Sequence, residues 1–145
     1  MQDLNGQEMK LESQLCFPLY ACSREVIKRY RPFLDAVGLT YTQYVAMLVF
    51  WEEGSVTVKE LGQRLYLDSG TLTPVLKSLE QKGYITRRRS ETDERVLIAA
   101  LTERGAALRE TAAGIPQQIC ACIRLDPKDA VQLHRLLYQL LDAMK

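Results

Sequence analysis

Four cysteines are the side chains of this sequence best suited to chemistry, because a thiolate is both a nucleophile and a metal ligand. They are Cys16, Cys22, Cys120 and Cys122. A folded chain of 145 residues buries roughly 68–70% of the surface that its unfolded form exposes, so its core forms without disulfide or metal staples. A Cys-x-Cys pair with one distant histidine, His134, is a poor zinc site. The four cysteines therefore need a role other than stapling the fold, and we assign no metal and no cofactor.

The composition is that of one soluble globular domain, with 47% hydrophobic and 26% charged residues. No apolar run approaches the roughly 18 residues of a membrane span, and residues 1–10 do not resemble a secretion signal. We expect a cytoplasmic protein with no membrane partner, whose cysteines are thiols at rest and whose disulfides, if formed, are transient, catalytic or sensory. The net charge is +1, which excludes a polycationic coat protein and an acidic tail. Any positive surface for nucleic acid must therefore be local.

Residues 68–83 are the most informative stretch, and their apolar spacing predicts a helix with two distinct faces. Asp68 or Ser69 serves as the N-cap and Gly83 as the C-terminal stop. One face is apolar and carries Leu72, Val75, Leu76 and Leu79. The opposite face is small and hydroxylic, and it carries Gly70, Thr73, Pro74, Lys77 and Gln81, flanked by Thr71 and Ser78. Such a face suits close contact with a partner, whereas a solvated face more usually carries Glu and Lys.

A β-hairpin follows this helix, with strands over residues 84–89 and 96–101 and a polar loop between them. Residues 77–89 contain five basic side chains and one acid, Glu80, so a local positive charge lies within a nearly neutral chain. Helix, tight turn, helix and hairpin is the order of a winged helix-turn-helix, whose second helix enters the major groove of DNA. Arg95 lies among carboxylates in the loop and is predicted to enter a minor groove.

The predicted DNA contacts lie on this second helix or on the hairpin. They are Ser69, Thr71, Thr73, Lys77 and Gln81 on the helix, and Arg87, Arg88, Asp93 and Arg95 on the hairpin. The alternative is that residues 87–89 form a solvated strand edge and that Arg95 forms a surface ion pair. For each residue taken singly that alternative is the commoner outcome, and it is the ordered block as a whole that favours DNA binding.

Caps and stops in the sequence mark the remaining helices. They are Gly38 after a helical stretch over residues 11–37, the capping boxes Thr40/Gln43 and Thr57/Glu60, Thr102 before a helix to about Gly114, and Asp126-Pro127 before the last helix. Residues 115–116 mark a break, followed by a further helical stretch. The predicted fold is mainly α with a small β-hairpin wing, in the order helix, helix, short strand, helix, helix, strand, wing, strand, helix, helix.

Two regions are expected within one intertwined domain. Residues 39–113 are the winged helix-turn-helix DNA-binding region, and residues 1–38 with 114–145 are a helical dimerisation region. The first and last helices carry long apolar faces that a compact reading head cannot cover alone. We expect them to pair between two chains as a homodimer, because specific readers of this kind bind half-sites about 34–36 Å apart. The alternative is that they fold back on their own subunit.

Four stretches of the chain carry a family likeness: QLCFPLYACSREVIKRYRPFL, LTYTQYVAMLVFWE, YLDSGTLTPVLKSLEQKGYITRRRSETDERVL and LTERG. The likeness runs from about Leu11 to Met144, and the chain resembles the MarR family, specifically its organic hydroperoxide resistance repressor branch (OhrR). The wing Asp-Glu-Arg is shared across MarR proteins, whereas Leu-Cys-Phe with two downstream tyrosines is specific to the peroxide-sensing branch. The resemblance implies a dimeric repressor of transcription that leaves DNA when a sensory cysteine is oxidised.

By this resemblance Cys16 is the sensing thiol, and Tyr30 and Tyr41 match the tyrosines that hydrogen-bond it. Tyr30 follows Cys16 by 14 residues, so on one continuous helix it lies roughly 21 Å away and can reach only the Cys16 of another subunit. Phenol donors and a helix N-terminus would both favour the thiolate, which is the form that attacks a peroxide. Pro18 indicates that the first helix begins or bends here, because proline is tolerated only near a helix start.

The resemblance also implies a resolving thiol for oxidised Cys16, which two-cysteine members of the branch carry near the positions of Cys120 and Cys122. The sequence does not choose between these two, and a low-molecular-weight thiol in a mixed disulfide is a third option. Cys22 is a weaker partner, since six residues along one helix put it about 9 Å away. The alternative for all three is that they are small buried hydrophobes.

The sequence thus predicts a redox-sensing transcriptional repressor and not an enzyme. It binds a pseudo-palindromic operator in double-stranded DNA as a homodimer and is released when an organic hydroperoxide oxidises Cys16. The nearest alternative is a MarR-type repressor released by a non-covalent aromatic ligand. A thiol peroxidase is another alternative. Met9 argues against it, because the peroxiredoxin motif has proline at this position. An architectural DNA binder is a third, and it would show no operator preference.

Overall fold

A computed structural model describes Leu4 and residues 8–145, and its helices and strands follow the caps and stops in the sequence. The helices are α1 (Cys16–Asp35), α2 (Tyr41–Glu53), α3 (Val58–Leu65), α4 (Ser69–Gln81), α5 (Glu103–Ala112), α6 (Ile115–Cys122) and α7 (Pro127–Ala143). The strands are β1 (Ser55–Thr57), β2 (Ile85–Arg89) and β3 (Leu97–Leu101). This order confirms a mainly helical fold with a small β-hairpin wing.

Side-chain caps determine where the central helices begin. The Thr40 hydroxyl accepts from the Gln43 backbone N–H at 3.2 Å, while Gln43 Oε1 accepts from the Thr40 N–H at 3.0 Å, so the predicted capping box at α2 is confirmed. Thr57 opens α3 with a box of the same kind. Asp68 and Thr102 cap α4 and α5 through their side-chain oxygens. Each cap satisfies backbone donors that the helix itself leaves unpaired.

The three strands form one antiparallel sheet in the order β1-β3-β2. Ile85 of β2 pairs with Leu101 of β3, and Arg89 pairs with Leu97. β1 lies along the other edge of β3, with Ser55 opposite Ala100. The central strand is therefore held on both sides, and it supports the loop over residues 90–96 as a wing.

The core lies between α2, α3, α4 and the sheet. Its largest fully buried side chains are Phe50, Met47, Leu61, Leu72, Leu76, Leu79 and Ile85. Three of these come from the stripe predicted on α4, and Val75 packs against the same cluster half-buried, so the predicted inner face of α4 is confirmed. The opposite face of α4 is left to solvent because the stripe alone faces the core.

Both terminal helices expose apolar side chains. In α1 Leu34 is buried, whereas Phe17, Leu19, Tyr20 and Ile27 are exposed. The described residues up to Ile115 form one compact unit, and Pro116–Lys145 form a second. In the second unit α7 exposes Val131, Leu133, Leu136 and Tyr138. Within the described part of the chain, no helix combines the length and the apolar character that a membrane crossing needs.

The two ends of the chain depart in detail from the predicted elements. The helix predicted over residues 11–37 is a 3₁₀ turn at Leu11–Ser13 followed by α1. Pro18 occupies the first turn of α1, where its missing N–H has no helical partner to lose, so the predicted helix start is confirmed. Pro116 lies in the first turn of α6, so this stretch is a helix of its own and adds one helix to the predicted order.

Gly105 offers a test of the packing of α5 against the sheet. A Cβ at this position would fall on the Tyr84 carbonyl oxygen and lie 2.7 Å from Leu101 Cδ1. We expect Gly105→Ala to lower the free energy of unfolding by about 2 kcal/mol, because the backbone must shift to make room. The measurement is urea denaturation followed by circular dichroism.

Gly114→Ala is the matched control, since a Cβ there meets nothing within 4 Å. It should leave the free energy of unfolding unchanged or raise it by about 0.4–1 kcal/mol through the unfolded chain. Equal effects of the two substitutions would contradict the close approach at Gly105.

Candidate DNA interface and cysteine sensor

The N-terminus of helix α4 is fixed by a side-chain cap. Asp68 Oδ1 accepts from the Thr71 backbone N–H at 2.7 Å. This bond and the Thr71 hydroxyl hold the pKa of the Asp68 carboxyl below its usual value. Asp68 and not Ser69 is therefore the N-cap, and Ser69 is the first helical residue. The cap defines the residue at which α4 begins and so which side chains lie on its exposed side.

The exposed side of α4 presents the side chains that the sequence predicted for DNA contact. Thr71, Thr73, Lys77 and Gln81 are all exposed. The Thr73 hydroxyl donates to the Ser69 carbonyl at 2.7 Å, so its oxygen can still accept a hydrogen bond. A surface of small groups with one lysine and one glutamine allows close approach to base edges. The structure thus brings these residues together on one face.

The wing presents Arg95 in a fixed orientation. Asp93 Oδ1 accepts from Arg95 Nε at 3.1 Å, and Asp93 Oδ2 accepts from a terminal guanidinium nitrogen at 3.3 Å. The Arg95 side chain is 91% exposed in spite of this pair. Hydrogen bonds from Arg95 lower the pKa of the Asp93 carboxyl, so the pair is ionised at neutral pH. The sequence placed Arg95 among loop carboxylates, and the carboxylate that binds its guanidinium is that of Asp93.

Arg87 is engaged within the domain. Its guanidinium donates to Glu80 Oε1 at 3.1 Å and its backbone N–H donates to Glu80 Oε2 at the same distance. The pair joins α4 to β2 and lowers the pKa of the Glu80 carboxyl. Arg88 and Arg89 are exposed. The local positive charge open to solvent is therefore carried by Lys77, Arg88 and Arg89 more than by Arg87.

An open groove of about 800 Å³ lies between α3, the start of α4 and the base of the wing. Lys59, Tyr66, Ser69 and Arg95 are among the residues that line it. Tyr66 has a φ of 56°, a left-handed conformation that is uncommon for a residue other than glycine. Sequence reasoning did not single out Lys59 or Tyr66. The sequence signal for Tyr66 was the short link between α3 and α4, because a left-handed residue commonly ends a helix before such a link.

The groove, the exposed face of α4 and the wing form one continuous surface. The exposed face of α4 borders it at Ser69, and the wing borders it at Arg95. The groove is lined by charges of both signs, since Lys59 and Glu60 are both among its lining residues. A sugar-phosphate backbone beside a helix in the major groove would pass along such a channel.

Cys16 and Tyr30, two residues of the predicted sensor, lie far apart on α1. Cys16 is the first residue of the helix and is exposed. Tyr30 lies 14 residues further along the same helix, about 21 Å away at 1.5 Å per residue. Its ring packs edge-on against Tyr41, with centroids 5.0 Å apart. Within one chain, therefore, the two phenols meet each other and the thiol does not meet them.

A third ring completes the phenol cluster. Tyr44 lies 5.9 Å from Tyr30 and 6.5 Å from Tyr41, centroid to centroid, and is buried. Burial raises the pKa of Tyr41, and burial together with the neighbouring Tyr41 raises that of Tyr44. Both phenols are thus protonated at neutral pH, which is the form that can donate a hydrogen bond. Sequence reasoning did not single out Tyr44 as part of this cluster.

The other cysteines are free thiols. Cys22, Cys120 and Cys122 are all exposed, so they are not small core residues of the single chain. His134 is exposed on α7, and its ring lies 4.9 Å from that of Tyr138. No disulfide joins the cysteines of the described residues, and any resolving role for Cys120 or Cys122 remains a prediction.

Comparison with known proteins relates the whole chain to regulators of transcription. Residues 28–111 match the family described as transcriptional regulator SarA/Rot. The organic hydroperoxide resistance transcriptional regulator of Bacillus subtilis is 54% identical over 136 residues, which is 94% of this chain and 92% of that protein. The family match covers the helix-turn-helix and the wing.

Solved structures give the same relation. Reduced AbfR bound to DNA, from Staphylococcus epidermidis, is 36% identical and has a TM-score of 0.80, with 99% of both chains covered. The structure of AbfR with its disulfide formed, also 36% identical, has a TM-score of 0.65 over 97% of this chain and 99% of that one. The present chain is thus more similar to the reduced, DNA-bound AbfR than to the disulfide form.

The Asp68 cap generates a prediction about pH. Because the folded-state pKa of Asp68 lies below its unfolded value, its contribution to stability is present at neutral pH and is lost as the pH falls below about 4. Asp68→Ala should lower the thermal midpoint at pH 7, and the difference from the wild type should shrink by pH 3. Differential scanning calorimetry at both pH values measures this.

Asp68→Asn is the matched control, since asparagine caps helices without a charge. It should stay close to the wild type at pH 7. A gap between the wild type and Asp68→Ala that is the same at pH 7 and pH 3 would contradict an ionised cap.

Proposed function

The chain belongs to the MarR family of winged-helix transcriptional regulators, in its organic hydroperoxide resistance branch, and on this premise we propose that it is a redox-sensing repressor. It binds a pseudo-palindromic operator as a homodimer and is released when an organic hydroperoxide oxidises Cys16. The observation that carries this proposal is the separation along α1 of Cys16, its first residue, from Tyr30, whose ring packs against Tyr41 of α2. The thiol and the phenols come together only if two chains pair.

The exposed apolar faces support pairing of two chains. Leu19 and Tyr20 on α1, and Val131 and Leu136 on α7, lie in solvent in the single chain. Apolar patches of this kind are rare on monomers and are covered in stable dimers. In a dimer the Cys16 of one chain would receive hydrogen bonds from the phenols of the other. Each sensor then contains parts of both subunits.

The contacts to DNA follow from the exposed groups. Helix α4 enters the major groove, where Lys77 and Gln81 meet base edges or phosphates and the threonine methyl groups meet thymine methyl groups. Arg95, aligned by Asp93, enters the flanking minor groove. Arg88 contributes charge along the backbone. Two such heads in a dimer read two half-sites.

The oxidation proceeds in two steps. The Cys16 thiolate attacks the hydroperoxide, the O–O bond breaks, the sulfur becomes a sulfenic acid, and the leaving alkoxide takes a proton to become an alcohol. A second thiol, from Cys120, Cys122 or a low-molecular-weight thiol, then condenses with the sulfenic acid to form a disulfide and water. AbfR, which is 36% identical, has been solved both reduced on DNA and with its disulfide formed. We carry this pair of states over to the present chain.

Release requires the oxidised sulfur to change the geometry of the dimer. A hundredfold loss of operator affinity corresponds to about 2.7 kcal/mol of coupling free energy. Oxidation changes both the size and the hydrogen bonds of the sulfur, and a packed interface responds by adopting a second arrangement. The spacing of the two α4 helices changes with it.

Cys16→Ser tests the sensor directly. The variant should bind operator as the reduced wild type does and keep binding after treatment with cumene hydroperoxide, because serine cannot form a sulfenic acid. Fluorescence anisotropy of labelled operator gives the affinity, and intact mass spectrometry of the same samples gives the oxidation state. Cys22→Ser is the matched control and should be released like the wild type. Release of Cys16→Ser by the hydroperoxide would refute the assignment.

Lys77→Ala and Arg95→Ala test the DNA-reading surface. Each should lower operator affinity about tenfold, or about 1.4 kcal/mol, and reduce the slope of log affinity against log salt by about 1 if the contact is to a phosphate. Arg64→Ala is the control, since Arg64 already pairs with Glu52 and Glu53. An unchanged affinity in both variants would argue against this face.

A further inference from the structure

The side chain of Gln43 is buried at the meeting point of two helices. It is 6% exposed, and Ser13 is the other buried polar residue in the described part of the chain. Its Nε2 donates to Ser78 Oγ on α4 at 2.9 Å. Its Oε1 accepts from the Thr40 N–H at 3.0 Å and from Lys82 Nζ at 3.1 Å. Both ends of the amide are therefore used, and its orientation is defined.

Lys82 extends this contact to the turn between α1 and α2. Its Nζ donates to the Gly38 carbonyl at 2.6 Å as well as to Gln43. Gly38, Gln43, Ser78 and Lys82 thus form a closed set of hydrogen bonds, which we call the polar junction. It joins the turn before α2, the first turn of α2 and the C-terminal end of α4.

The polar junction lies between the two functional sites of the chain. Tyr41, whose ring contacts Tyr30, precedes Gln43 by two residues in the first turn of α2. Lys77, on the DNA-facing side of α4, directly precedes Ser78. A displacement of Tyr41 moves the first turn of α2, because the capping box holds that turn together. The same turn is bonded to α4 through Gln43.

We propose that Gln43 is a positioning residue that transmits the state of the cysteine sensor to α4 through Ser78 and Lys82. This inference rests on the proposed function, since it assumes that oxidation of Cys16 displaces the phenols. The apolar contacts between α2 and α4 are non-directional and tolerate sliding. The hydrogen bonds of Gln43 are directional and its amide is buried, so they resist sliding and the polar junction makes α4 follow α2.

A purely stabilising role would not require these groups. Replacing both partners of a buried hydrogen bond by apolar groups of similar shape is often nearly neutral for stability. The readout that separates transmission from stability is the ratio of operator affinity in the reduced state to that in the oxidised state.

The test compares two double variants of the full chain. Ser78→Ala/Lys82→Met removes the acceptor (Ser78 Oγ) and the donor (Lys82 Nζ) that Gln43 uses at the C-terminal end of α4, whereas Ser78→Thr/Lys82→Arg keeps a hydroxyl and a cation. Operator affinity is measured by anisotropy before and after cumene hydroperoxide, with intact mass spectrometry to equalise oxidation. We expect the wild type and the conservative variant to lose about a hundredfold in affinity on oxidation, and the broken variant less than about tenfold. The lost charge of Lys82 acts in both states and cancels in the ratio.

An undiminished ratio in the broken variant overturns the proposal. So does failure of the reduced broken variant to bind operator, because the junction would then be needed for binding itself. A wild type that stays on the operator when oxidised refutes the proposed function instead. Should the broken variant lose its thermal transition, Ser78→Ala alone is used, which keeps both bonds of Lys82, and a ratio between those of the two double variants is expected. A wild-type ratio for Ser78→Ala then counts against transmission.

Discussion

The length of α1 is the constraint on which the rest of this protein depends. Its 20 residues run without interruption from Cys16 to Asp35, so the thiol at one end and Tyr30 near the other cannot meet within one chain. Tyr30 is in turn held at the α1–α2 corner by Tyr41 and Tyr44. A sensor that needs both groups has to be shared between subunits, which ties the chemistry of the sulfur to the geometry of the dimer.

Helix α4 meets two demands with its two faces. Its leucines fill the core, and its exposed side is kept small and hydroxylic so that a DNA surface can approach. Three polar attachments hold it in place: the Asp68 cap at its start, the Glu80–Arg87 pair to β2 and the polar junction to α2. The helix is therefore fixed at both ends, and a movement of α2 is passed to it.

The charge distribution illustrates how polar groups divide between structure and function. Five basic residues lie between Lys77 and Arg89, but two of them serve the fold. Arg87 pairs with Glu80, and Lys82 binds the Gly38 carbonyl. The remaining basic side chains are exposed, and the wing adds Arg95, aligned by Asp93. Counting charges along the sequence overstates the positive surface that is free for DNA.

The sequence by itself determined the caps of α2 and α3, the buried stripe of α4, the hairpin and the separation of Cys16 from Tyr30. These depend on hydrogen bonds and periodicities a few residues long, which any reader of the chain can recognise. Only the tertiary structure decided that Gln43 bonds to Ser78 and Lys82, 35 and 39 residues away, that Arg87 faces Glu80, and that Tyr66 lines the groove. Partners so distant along the chain are chosen by how the helices pack, and no local pattern encodes that choice.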